Sequence, residues 1–477
     1  MINHGLEPDF PPAALRQLDT IDGPATTSGN DIHDLRALDW ASIDNDDSRD
    51  LDQLSVAESL DNGDVRILIA VADVDSLVTR NSPLDLHAQV NTTSVYTPCC
   101  IFPMLPEKLS TNLTSLNADQ DRLAVVVSYV VHPDGSLGDQ AIYRAQVRNK
   151  AKLAYRSVSA WLEGEADMPD AMKAASGVPD QIKLQDEVAL RLRKLRHEHG
   201  ALTLETIEPE AIVENGEVVD LRVDNRTRAH LLIEDFMIAA NGVAARYLAS
   251  NGLPSLRRMV RKPERWDKIR DVANQYGESL PHEPDAPALQ HFLDRRQKAD
   301  PLRFPDLSLT IIKLLGPGEY VVLAPGQTPV GHFGLAVREY THSTAPNRRY
   351  PDDITQRMIK ASLDGARPPY EIEELESLAE HCTLQEDAAK KVERQVRKSA
   401  AALILSHRIG EQFDAIVTGA SEKGTWVRAL GTPVEGRVVH GFDGMDVGDR
   451  VRVKLIDVNV ERGFIDFAGL QSGRRHP

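Results

Sequence analysis

The 477-residue chain has little cysteine: three residues in all, two of them adjacent at Cys99 and Cys100. That supply makes neither a disulfide framework nor a CxxC zinc pair. Long hydrophobic runs are missing too. The longest, LAVVV and ILIAVA, fall far short of the ~18 apolar residues a membrane span needs, so no membrane partner is expected. The N-terminal MINHGLEPDF lacks the basic stretch and apolar run of a signal peptide, and a cytoplasmic protein is expected. Basic charge is not in excess either. A net charge of −17 argues at first sight against a nucleic-acid partner, since phosphate binding usually calls for a basic footprint.

The distribution of that charge changes the argument. Residues 1–64 carry a net −12 and the other 413 only −5, so most of the acidity lies in one N-terminal segment. A hydrophobic fraction of 41% and a charged fraction of 27% allow an ordinary folded core, and the length has room for about three domains. Residues 1–33 are polar and rich in Pro, Gly and Thr, and read as an arm with one short helix in PPAALRQL. A long α/β region follows over 34–410. Extended runs (VRILIAVADV, RLAVVVSYVV, EAIVENGEVVDLRV with its Asn215-Gly216 turn) mix there with helical stretches near 186–199, 229–250 and 355–364. A long helix is predicted from about 383 to 409, stopped by Gly410. Between Gln412 and Ala468, five short alternating strands with Gly-rich turns predict an all-β barrel of the OB type over 411–470, before a tail at 471–477. Trp426, Phe442 and Phe464 in that barrel either stack on bases or fill its core.

The acidic segment contains SIDNDDSRDLDQL, with five aspartates in the nine positions from Asp44 to Asp52. A calcium loop of the EF-hand type fails on spacing, because Arg49 stands where glycine is required and Ser55 where glutamate is. Two readings remain from residue type alone. One is a solvated acidic loop. The other is a magnesium site, since hard divalent cations want carboxylate oxygens. Asp50 and Asp52 would share one face of an extended segment, and a loop could bring Asp44 to them.

SIDNDDSRDLDQL resembles the acidic signature of the ribonuclease II and ribonuclease R exoribonucleases. The likeness continues in order through IAVADV, SVYTPCCIFPMLPEKLSTNLTSLN, NKAKLAYRSVSAWLEG, IEDFMIAANGVAAR, GHFGLAVREYTHSTAPNRRYPDD and KVERQV, over about residues 35–400. KAKLAY…VSAWLE and IEDFMIAAN lean towards ribonuclease II. The resemblance implies an RNB catalytic domain, α/β (α+β) in class, followed by an S1-type OB-fold barrel. It implies a processive, magnesium-dependent 3′→5′ exoribonuclease, with manganese as an alternative ion, acting as a monomer on single-stranded RNA and releasing nucleoside 5′-monophosphates. Carried over by position, Asp44, Asp50 and Asp52 match metal-binding aspartates, Asp52 being the one hydrolysis cannot lose. Arg348 matches the arginine at the scissile phosphate, and Tyr96 the tyrosine that stacks on the 3′-terminal nucleotide. Tyr155 and Glu234 match residues that read the ribose, and Glu393 a glutamate near the terminal nucleotide.

The sequence also departs from that pattern. Gln53 replaces the second of two adjacent aspartates, Leu204 replaces a stacking phenylalanine, and Ala345 replaces a serine. Relatives usually carry two cold-shock folds before the catalytic domain, which about 33 residues cannot make, so a more open RNA entrance is expected. A non-catalytic RNA-binding protein on a degenerate ribonuclease fold is the rival reading. His197-Glu-His199 reads as the end of a basic helix rather than a zinc pair, and Arg191, Arg193, Lys194 and Arg196 read as its solvated face.

Overall fold

The computed structural model describes residues 1–26, 31–207, 209–214, 217–223, 226–421, 424–432 and 434–470. The 471–477 tail and the Asn215-Gly216 turn lie outside the described residues.

The large domain is built on a seven-stranded sheet. Its strands are β1 (Ile32–Asp34), β2 (Ala41–Asp44), β3 (Gln53–Ser59), β4 (Val65–Ala72), β7 (Asp121–Val131), β8 (Leu137–Arg148) and β9 (Ala151–Ala154). A short hairpin of β5 (Val95–Tyr96) and β6 (Ile101–Phe102) stands apart from it. The sheet order is β1-β8-β7-β4-β3-β2-β9. The β3-β4-β7-β8 meander is antiparallel, and β1 and β9 join their neighbours β8 and β2 in parallel. In β4, Ile67, Ile69 and Val71 point to one face and Leu68, Ala70 and Ala72 to the other, and all six are buried. Both faces are therefore covered, which is why this strand reads as an unbroken apolar run. Each of the buried Ile, Leu and Val side chains contributes about 1.5–3 kcal/mol on burial.

The segment read as an arm is docked. Leu6 and Ala14 are buried, Asn91 exchanges two hydrogen bonds with the backbone of Glu7 (2.8 and 2.7 Å), and the Phe10 ring lies 4.5 Å from that of His87. β1 takes residues 32–34 into the sheet itself. Helix Val178–Glu198 begins eight residues before the expected 186, whereas helix Arg228–Ser250 lies where the sequence periodicity puts it. On the basic face of the first, Lys194 is exposed as expected, but Arg193 and Arg196 are not solvated. Arg193 and Arg196 both donate to Asp235, which is buried inside the second helix. A buried carboxylate must be paired, and this one selects two arginines from the neighbouring helix.

The hairpin β10 (Pro209–Glu214) and β11 (Glu217–Val223) and the pair β12 (Ser255–Met259) and β13 (Glu319–Leu323) complete the domain. The long helix begins at Ile372, not near 383, and ends at Leu405, followed by one 3-10 turn. Its early start was written in Leu375, Leu378, Ala379 and Cys382, an i, i+3, i+4, i+7 stripe that packs on the main core. Further along, Ala388, Ala389 and Val392 meet Leu6 and Val95; its last turns give Ala401, Ala402 and Leu405 to the barrel core. At 34 residues it is about 50 Å long, and it ties three apolar clusters together.

The barrel is closed in the order β14 (Gln412–Ser421), β15 (Gly424–Ala429), β16 (Glu435–His440), β18 (Phe464–Gly469), β17 (Arg450–Asn459). Its inside is filled by Phe413 and Phe467, edge to face at 5.9 Å. Phe442 and Phe464 are 42% and 57% exposed, so these two do not fill the core, while Trp426 is half-buried. Among the described residues, no helix is long and apolar enough to cross a membrane.

Candidate active site

Asp44 is the last residue of β2, and Asp50 and Asp52 close the loop that leads into β3. The loop is fixed locally: one Asp44 oxygen accepts from the Asn45 N–H (2.8 Å) and from the Ser48 hydroxyl (2.9 Å). The parallel register pairs Asp44 with Ala154, so the next residue of that chain segment, Tyr155, arrives beside it. From far along the sequence comes the loop before helix Tyr350–Leu363. There the Asn347 N–H donates to Asp52 Oδ1 (2.9 Å), and Arg348 Nε donates to Asp52 Oδ2 (3.2 Å). That loop is laced to the approach of β5, because the Ser94 N–H bonds the Arg348 carbonyl at 3.0 Å. One residue pair further, the Tyr96 hydroxyl donates to Asp50 Oδ2 (3.1 Å), and its backbone N–H donates to Glu393 Oε1 (2.9 Å).

Asp52 is 2% exposed. Burial pushes its carboxyl up to about 7, Arg348 draws it back down, and Asp50 adds to the rise. Burial likewise raises Asp44. Burial raises the Tyr96 and Tyr155 hydroxyls well beyond their ordinary range, with Asp44 adding to the effect at Tyr155. Both rings therefore stay neutral at any physiological pH.

A cleft of about 1500 Å³ opens over this cluster. Asp50, Tyr96 and Tyr155 form part of its wall; Asp52 is buried, Asp44 is half-buried, and the Arg348 side chain beside Asp52 is 42% exposed. Glu393 reaches it through the Tyr96 backbone. Glu234 is not in the wall but is ion-paired with Arg226, which is. Leu204 lines the same cleft, while Gln53 sits half-buried at the start of β3 and Ala345 is buried behind the Arg348 loop.

Sequence reasoning missed three residues. The His230 ring stacks on Tyr155 at 3.8 Å and caps its helix through Thr227. Asp352 accepts from the Ala345 N–H and from Arg349, both at 2.8 Å, which pins the loop that presents Arg348. The paired aspartates of YPDD in a helix's first turn were the available signal for it. Asn347 is fully buried; its oxygen accepts from Thr114 (2.5 Å), and its Nδ2 has no partner among the described residues.

Asp44, Asp50 and Asp52 offer oxygen donors only, the set a hard cation prefers. Among the described residues, no three His, Cys, Asp or Glu side chains converge tightly enough to hold an ion unaided. Magnesium ordinarily keeps several waters and uses one or two carboxylates together with substrate phosphate, so these residues fit it.

Residues 32–365 match the model of the RNB domain, and residues 411–469 that of the RNase II-type exonuclease C-terminal S1 domain. The chain belongs to the RNB family. It is 30% identical to ribonuclease R of Thermotoga maritima, over 98% of this chain and 69% of that one. It is 31% identical to ribonuclease R of Escherichia coli, over 92% of this chain and 58% of that one, so it spans less than two thirds of that relative. Ribonuclease R of Mycoplasma genitalium, in complex with ribose methylated single-stranded RNA, has the same fold. The TM-score is 0.88 at 21% identity, covering 98% of this chain and 77% of the other. The family and the two-part architecture expected from the motifs are thus shown. The relatives named are ribonucleases R, although two sequence blocks lean towards ribonuclease II.

Proposed function

We propose that this RNB protein is a magnesium-dependent 3′→5′ exoribonuclease that degrades single-stranded RNA processively to nucleoside 5′-monophosphates. The observation that carries the reading is the buried Asp52, held by Arg348 and the Asn347 backbone beside Asp44 and Asp50, behind the wall of a cleft that Tyr96 and Tyr155 line. Asp44, Asp50 and Asp52 would hold magnesium, or manganese in its place. When bound, such an ion neutralises phosphate charge and lowers the pKa of a water. The protein's own groups do the positioning. Arg348 anchors on Asp52 through Nε, and its two terminal nitrogens remain to fork onto phosphate oxygens as charge develops there. The Tyr96 ring, steadied at both its hydroxyl and its N–H, offers a face to the terminal base. Tyr155 and Glu234 would read the 2′-hydroxyl that marks RNA.

The test is a gel of 5′-labelled single-stranded RNA with and without magnesium. Conversion of full-length RNA to a short 5′-labelled end product with few intermediates, only with the ion, supports the reading. Tight binding without shortening would favour the second one, a non-catalytic RNA-binding protein, which Gln53 in place of an aspartate suggests.

A further inference from the structure

The turn from Thr97 to Cys100 joins β5 to β6, and its residues line the cleft next to Tyr96. Two of them are cysteines with no role in the chemistry above. The Thr97 N–H closes the turn by donating to the Cys100 carbonyl at 3.1 Å, and the Thr97 hydroxyl accepts from the Cys100 N–H at 3.3 Å. The Cys99 and Cys100 sulfurs lie 3.7 Å apart, and both residues are exposed. The Thr97 hydroxyl is 2.6 Å from the Cys100 carbonyl and 3.4 Å from Cys99 Sγ. Because that carbonyl keeps the Thr97 N–H, the hydroxyl proton is able to turn to the sulfur when Cys99 ionises. The hydroxyl, against the effect of burial and with help from the Cys100 thiol, draws Cys99 below the ordinary thiol range. Burial and its neighbour hold Cys100 above that range. The third cysteine is the opposite case: Cys382 is 1% exposed, and burial pushes its thiol far up.

We propose that Cys99 is a site of reversible S-thiolation, at which a low-molecular-weight disulfide leaves one of its halves in the cleft beside Tyr96 and closes the cleft to RNA. An exposed cysteine of depressed pKa with a second one beside it is the setting in which thiols answer oxidants. The Cys99 thiolate attacks one sulfur of the disulfide RSSR. The new S–S bond forms as the old one breaks, and RS⁻ leaves with the electron pair and takes up the proton that Cys99 gave to solvent. Cys100 does not compete by closing a ring with Cys99. Their trans peptide fixes the Cα atoms about 3.8 Å apart, inside the ~4.4–6.8 Å of ordinary disulfides, and a bond made there is strained and easily reduced. The mixed disulfide is therefore the product that accumulates. Its place decides its effect: Cys99 stands on the same short hairpin as Tyr96, which Glu393 and Asp50 pin to the site. The consequence for RNA rests on the cleft being the path proposed above, whereas hydrolysis plays no part in it.

The experiment treats the full chain, in EDTA, with glutathione disulfide and maps the adduct by mass spectrometry. Affinity for a fluorescent single-stranded RNA is measured before and after. One glutathionyl group per chain is expected, on Cys99, with affinity weakened about tenfold or more, the scale of one lost base stack, and restored by dithiothreitol. RNA bound beforehand should slow the modification. Cys99→Ser should show the same affinity before and after treatment. Cys100→Ser should take the group more slowly and still lose affinity. An unmodified Cys99, a chain in which Cys99 and Cys100 are joined instead, or an adduct on Cys99 that leaves RNA affinity unchanged overturns the proposal. A chain that binds no RNA even untreated overturns the reading of the cleft and this proposal with it; in every other failure that reading stands.

Discussion

Two clusters of aspartates flank the same sheet, and they are balanced differently. In the first, Asp44, Asp50 and Asp52 have Arg348 as the nearby cation, and the cluster borders an open cleft. In the second, Asp73, Asp75, Asp85 and Asp353 surround Arg357 and Lys360 behind helix Tyr350–Leu363. Lys360 reaches Asp73 and Asp75 (2.6 and 2.9 Å); Arg357 reaches Asp75, Asp85, the Tyr370 hydroxyl and the Val78 carbonyl, all within 2.9 Å. Burial pushes the remaining acid, Asp353, well above the usual carboxylate range. The second cluster bonds three of its four carboxylates to its two cations, leaves both Asp353 oxygens without a partner among the described residues, and fixes a helix to the end of β4. The first leaves charge over, and surplus charge in a cleft is what a ligand can answer.

The largest effect should come from the unbalanced cluster. Asp52→Asn should lower turnover by about a thousandfold or more, some 4 kcal/mol of barrier. RNA affinity should stay within a few-fold, because it is spread over cleft and barrel. In EDTA the variant should melt no lower than wild type, since the change removes a buried, under-compensated charge. Turnover above about a tenth of wild type would show that Asp52 belongs with the structural aspartates.

The mirror experiment is Lys360→Met. It leaves Asp73 and Asp75 short of a cation in a buried place, and should cost about 3–5 kcal/mol of stability by denaturant unfolding. Activity per folded molecule should be unchanged. A variant of normal stability but poor activity would erase the distinction between the two clusters.

This difference also explains what the sequence could disclose. Asp44, Asp50 and Asp52 are close in sequence because one loop carries them, so their spacing already hinted at a shared site. The family motifs extended that hint to Tyr96 and Arg348, which the fold does bring to Asp50 and Asp52. The strands and the barrel were legible from alternation and turn residues. What stayed hidden was tertiary pairing. Asp235 claims two arginines that look solvent-facing on their own helix. His230 meets Tyr155 from another helix. Nothing in the local pattern around residues 1–26 said that they would pack, because Leu6 and Ala14 find their partners far along the chain, Leu6 among Val95, Ala388, Ala389 and Val392.

A smaller effect is expected at the edge of the unbalanced cluster. Tyr96→Ala removes a stacking face worth ~1–3 kcal/mol per base and leaves the three carboxylates in place. Short RNAs should be released earlier, so the limit product should lengthen by one or two nucleotides while the initial rate on long RNA falls less. An end product of unchanged length would assign Tyr96 to packing on Asp50 alone.

The smallest effect carries the same contrast into the barrel. Phe413 and Phe467 are saturated by each other and by the barrel interior, whereas Phe464, at the start of the same strand as Phe467, is more than half exposed. An exposed ring contributes little to folding, so Phe464→Ala should leave the melting temperature within about a degree. If the ring stacks on a base, the same change should weaken RNA binding several-fold, at the low end of ~1–3 kcal/mol per contact. Phe467→Ala should do the reverse and cost about 3–5 kcal/mol of stability by opening a cavity in the barrel core. Titration of both variants with a fluorescent single-stranded RNA, alongside their thermal unfolding, separates the two roles. Equal affinity for wild type and Phe464→Ala would mean that this outward ring is idle in RNA binding.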